Sequence, residues 1–179
     1  MMMNNNIKFS AFEYLVSKLC DWYFENNGDN LSNDLSKLKI TKLLFFTAAI
    51  SSNRNEEGLL SIFNNFVALP YGHVESDVYE NMDDSVCYSI TKNGLILKSR
   101  AHINEINLSF EIKMQIDEAI SKLKAVNCKL INYKAFDLVD ISHKWSSWKM
   151  MYSLARKNGK YSMKIPKEMI MTELKTFVI

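Results

Sequence analysis

Residues 35–50 constrain this chain more than any other stretch. Leu35, Leu38, Leu43, Leu44, Phe46 and Ile50 recur there at helical spacing and cover more than half of a helix circumference. A helix that apolar needs neighbours on two sides, so it belongs at the centre of the fold. Lys37, Lys39 and Lys42 fall on or beside the arc that remains. Apolar residues make up 47% of the whole chain, which is too many for disorder to describe most of it. A length of 179 residues suits one domain with a real core. We expect residues 1–9 to be poorly ordered and residues 10–179 to form that domain.

Periodicity supplies the neighbours. Ser10 and Glu13 have the spacing of a capping box, and Phe12, Leu15, Val16, Leu19, Cys20 and Tyr23 follow on one face. This predicts a first helix over 10–26, stopped by Gly28. Residues 59–69 suit a short helix or a buried extended segment equally. Pro70, Tyr71 and Gly72 read as a turn, after which Val74, Val78 and Met82 line up as a short helix with Glu75 and Asp77 in its first turn. Val86, Tyr88 and Ile90 alternate, Asn93 and Gly94 follow, and Leu95 resumes the apolar pattern, the signature of an antiparallel hairpin. A further helix starts near Ser109. Residues 133–156 read as two helical pieces joined around 142–147. Pro166 suits the first turn of a last helix with Ile170, Leu174 and Phe177 inside. The expected architecture is mostly α, a compact helical domain with a small antiparallel β-hairpin.

The chemistry suggests binding rather than catalysis. His73, His102 and His143 share no metal-ligand spacing, so no metal or other cofactor is expected. Ser142 and Ser146 lack the strained Gly-x-Ser-x-Gly turn of a nucleophile, and no Gly-rich phosphate loop occurs. Cys20, Cys87 and Cys128 are odd in number and far apart, which reads as buried free thiols in the reducing cytoplasm. No apolar run approaches the roughly 20 residues that span a bilayer. The net charge of +2, from 22 basic and 20 acidic side chains, lacks the dense basic stripe of a nucleic-acid binder. Trp145 and Trp148 beside Lys144 and Lys149 could imitate one, but Trp148 reads as a core anchor and Trp145 as the exposed aromatic of a protein contact.

Three segments taken in order resemble the Panacea domain family, the SocA-like, phage-associated antitoxins. Leu38, Lys39, Ile40, Thr41, Lys42, Leu43, Leu44 and Phe45 are similar to its Lys-Leu-Gln-Lys-Leu-Leu-Tyr helix. Phe66, Ala68, Tyr71, Gly72, Val74, Val78 and Tyr79 follow its Phe-x-Ala-Trp-x-Tyr-Gly-Pro-Val segment and the Val-Tyr after it, with His73 in place of Pro and Leu69 in place of Trp. Leu138, Ser142, His143 and Trp148 match a Leu-Ser-His…Pro-Trp pattern, with Ser147 in the Pro position. The resemblance covers about 31–174. It implies a cytoplasmic, non-enzymatic antitoxin that suppresses a cognate protein toxin by direct binding or, in one mode, by delivering it to a cellular protease. Tyr71, His73, Tyr79, His143, Trp145 and Trp148 are the candidates for residues in the partner surface or supporting it. The alternative is a phage or mobile-element accessory protein that binds a host factor and has no toxin.

Overall fold

The computed structural model describes residues 2–28 and 33–179, with side chains from Ile7 onward in the first helix. Met1 of the expected flexible segment lies outside that range. Helix α1 (Met2–Asn27) begins well before Ser10, so Ser10 caps nothing and Glu13 is free for another task. The Glu13 carboxylate accepts from the Ser85 hydroxyl at 2.6 Å and from the Val86 and Cys87 amides, tying a distant loop to the helix. Phe12, Leu15, Val16, Leu19 and Trp22 form the buried stripe of α1.

Helix α2 (Lys37–Ile50) is capped by Ser36 and occupies the centre, as its composition requires. Every residue over 39–49 is buried, the two lysines included. The expectation that Lys39 and Lys42 would stay on a polar arc therefore fails. Each instead finds an oxygen at the end of its stem, Asp34 for Lys39 at 2.6 Å and the His73 carbonyl for Lys42 at 2.6 Å.

A 3-10 turn over Gly58–Ser61 leads into strand β1 (Phe66–Leu69), which pairs antiparallel with β2 (Gly72–Glu75). The segment read as turn plus helix is thus a hairpin whose tip is Pro70 and Tyr71, and Val74 lies on a strand. Helix α3 (Ser76–Asn81) follows, its first turn closed by the Glu75 carboxylate on the Val78 amide at 2.9 Å. The Asn-Gly hairpin forms as expected, from β3 (Tyr88–Ile90) and β4 (Leu95–Leu97). After it come α4 (Arg100–Asn104), α5 (Phe110–Val126) capped by Ser109, α6 (Ala135–Lys144) and α7 (Ser146–Lys157). Strand β5 (Met163–Lys164) adds a third strand beside β1, giving the order β2-β1-β5. Helix α8 (Lys167–Thr172) buries Ile170 but ends before Leu174, which is 92% exposed.

The protein is mostly helical with two small antiparallel sheets. Of the cysteines, Cys87 is buried and Cys20 half-buried, whereas Cys128 is exposed, contrary to the expectation of three buried thiols. Burial pushes the Cys20 and Cys87 thiols up to about 12, so neither ionises readily. Among the described residues, no helix is long and apolar enough to cross a membrane.

Candidate functional site

The β1–β2 hairpin is held against α2, α6 and α7 by a buried polar latch centred on His73. Gly72 enters it with φ +94°, and a Cβ there would stand 2.4 Å from the Ser142 hydroxyl. That close approach lets the His73 amide donate to Ser142 Oγ at 3.1 Å. The same hydroxyl lies 2.8 Å from His73 Nδ1, and Ser147 Oγ lies 2.9 Å from Nε2. Each serine hydroxyl can donate its proton or accept one, so either ring nitrogen can carry the N–H while the other accepts. With no carboxylate among its ring partners, the imidazole has no counter-charge to hold a second proton. Burial, with Lys42 close by, holds the ring well below its ordinary pKa.

Stacking completes the seat. The His73 ring lies flat on Phe45 of α2, with centroids 3.6 Å apart, and Trp145 packs edge-on against Phe45 at 4.8 Å. Lys42 reaches the His73 carbonyl from the same helix. Its amine is fully buried with that single oxygen, and burial lowers its pKa to about 7. The latch therefore uses every polar group of His73.

Outside the latch, the same elements present a row of rings. Nε2 of His143 donates to the Pro70 carbonyl at 3.1 Å, and the Trp148 indole N–H donates to the Leu69 carbonyl at 2.8 Å. Both contacts brace the hairpin tip. His143 stacks on Trp148 at 3.8 Å, and Trp148 on Tyr152 at 5.1 Å. Beyond the tip, Tyr71 and Phe136 meet edge to face at 5.9 Å, 57% and 62% exposed.

Five of the six residues marked from the sequence thus converge: Tyr71, His73, His143, Trp145 and Trp148. The roles of the two tryptophans are exchanged. Trp145 is 1% exposed and donates to the Thr176 carbonyl at 3.1 Å, because the break between α6 and α7 drives its ring inward against Phe45 and Phe177. Trp148 is the half-exposed one. Tyr79 stands apart, exposed on α3 with the Lys37 ammonium 4.7 Å from its ring centroid. Sequence reasoning passed over Lys42, Ser142, Ser147 and Phe136. Ser142 is weighed above as a nucleophile and as part of the family pattern, and Ser147 only as a replacement for Pro, although polar residues at helix ends facing an apolar core are also the ones that satisfy buried partners. Among the described residues, no cluster of acidic, His or Cys side chains could hold a metal ion.

Residues 40–149, which contain the buried Lys42, the hairpin, α6 and the start of α7, match the family described as antitoxin SocA-like, Panacea domain. This chain belongs to that family. Searches of curated proteins and of solved structures return no match. The matched stretch contains the latch, the His143 and Trp148 side chains that brace the hairpin tip, and the exposed Tyr71 and Phe136. Membership supports an antitoxin role in general.

Proposed function

We propose that this protein is an antitoxin that neutralises a cognate protein toxin by direct binding, without catalysis of its own. The observation that carries this reading is the family match over 40–149, supported by the kind of site it encloses. His73 is sealed and neutral, with both ring nitrogens committed to serines, so the group best suited to proton transfer serves as a strut. The exposed parts of the same cluster are rings on a braced hairpin tip and on a helix, which suit protein contact. A specific complex buries roughly 1,200–2,000 Å² in total, within reach of a chain exposing 9558 Å².

The test is co-expression with the protein encoded beside it. The neighbour alone should arrest growth, this protein should restore it, and the two should co-purify at a fixed ratio. Absence of both rescue and co-purification would overturn the proposal.

A further inference from the structure

The outer face of α7 and the residues flanking that helix carry charges of one sign. Over residues 141–161 every charged side chain is basic, namely Lys144, Lys149, Arg156, Lys157 and Lys160, in a protein whose charges otherwise nearly balance. All five are exposed, and among the described residues none is ion-paired to an acid. Lys149 and Arg156 are seven residues apart, two helical turns or about 10 Å, on one line along the helix.

Apolar side chains flank that line on both sides. At helical spacing Met150 and Leu154, 61% and 44% exposed, form one edge. Trp148 and Tyr152 form the other and continue through His143 to the hairpin tip with Tyr71 and Phe136. Single exposed apolar residues are ordinary, but two parallel apolar edges enclosing an unpaired basic line are a binding pattern.

We propose that this face of α7, with the Tyr71–Phe136 edge beside it, docks an acidic amphipathic segment of the partner protein. The basic line calls for carboxylates spaced two turns apart. The apolar edges call for side chains that leave water on contact, which a nucleic-acid backbone does not supply at Met150 and Leu154. The inference rests on the reading of this chain as a toxin-binding scaffold and names the chemistry of the toxin surface it grips.

The probe is a short helical peptide with glutamates seven apart and leucines on the flanking positions, labelled for fluorescence anisotropy against the full chain. Binding should weaken with salt, and a scrambled peptide of the same composition should bind at least about ten-fold more weakly. The Lys149→Glu/Arg156→Glu and Met150→Ser/Leu154→Ser pairs alter exposed side chains and should each cost about ten-fold in affinity with unchanged circular dichroism and Tm. A peptide with lysines for glutamates should bind the charge-reversed protein and restore the loss. No binding, equal binding of the scrambled peptide, indifference to both variants, or tighter binding of a short DNA duplex would each overturn the assignment. Growth rescue separates the two proposals. If the charge-reversed variant neutralises the toxin as well as the native chain, the surface is wrong and the antitoxin reading stands. If the native chain does not neutralise while the charge swap restores peptide binding, the converse holds.

Discussion

A lysine ammonium withdrawn from water loses hydration that one carbonyl oxygen cannot replace, and the proton is what yields. Lys42 is in that position, with its amine on the His73 carbonyl and its pKa lowered from 10.5 to about 7 by burial. Between those values the unfolded chain holds the proton and the folded chain does not. Stability should therefore rise as pH rises from about 7 towards 10.5, by an amount on the order of 5 kcal/mol across the window. Urea unfolding of the native protein and of Lys42→Met, compared across that range, isolates the effect. The variant also orphans the His73 carbonyl, so the pH slope, not the absolute stability, is the readout. Parallel slopes in the two proteins would refute the buried neutral amine. The lysine itself was visible in the apolar helix, but its burial was not, because the acceptor lies 31 residues away on a strand. A helical wheel contains no information about such a partner.

At the scale of elements, Gly72 is where hairpin and helix meet most closely. A methyl group there would sit 2.4 Å from Ser142 Oγ and 2.9 Å from its Cβ, on a backbone with φ +94° that side chains rarely adopt. Gly72→Ala should destabilise the fold by at least about 2 kcal/mol, combining backbone strain with overpacking. Gly72→Ala should cost less in a Ser142→Ala background than in the native chain, because the nearer clash is then absent, although Ser142→Ala by itself orphans the His73 amide and Nδ1. The two changes are then non-additive in denaturant unfolding. A Gly72→Ala cost below about 0.5 kcal/mol would show that hairpin and α6 are not locked as described. The turn was readable from Pro70 and Gly72, yet the strands around it were not. Each has four residues, β5 has two, and alternation over so short a span is indistinguishable from a helical turn. The hairpin over β3 and β4 was readable because Asn93 and Gly94 supply turn chemistry that owes nothing to tertiary context.

At the scale of the molecule, the family-matched stretch 40–149 is the inner part of a structure completed from both ends. Helix α1 contributes Phe12, Leu15, Leu19 and Trp22 to the core, and the C-terminal segment contributes Ile165, Ile170 and Phe177. Burying each such side chain is worth about 1.5–3 kcal/mol, so their joint removal exceeds the margin by which a domain of this size is stable. Polar closures go with them. Lys8 of α1 holds Glu75, the carboxylate that caps α3, at 2.7 Å, and Glu173 accepts from the Ser147 amide at the start of α7. Lys175 donates to the carbonyls of Ala49 and Ser52 where α2 ends, setting a cation against the negative end of that helix. These attachments were only half legible. The apolar periodicity of α1 announced a core helix, whereas the tail after α8 has no regular structure to predict. Its anchor, Phe177 against Trp145 and Phe46, exists only once the α6–α7 break has turned Trp145 inward. A fragment of residues 40–149 should consequently fail to fold alone. Its circular dichroism should lack a cooperative thermal transition, and its indole emission should match solvent-exposed tryptophan, since Trp145 would lose both Phe177 and the Thr176 carbonyl. If the fragment instead melts cooperatively within a few degrees of the whole chain, the matched stretch is a self-sufficient domain, and α1 and the tail are additions to it and not parts of its core.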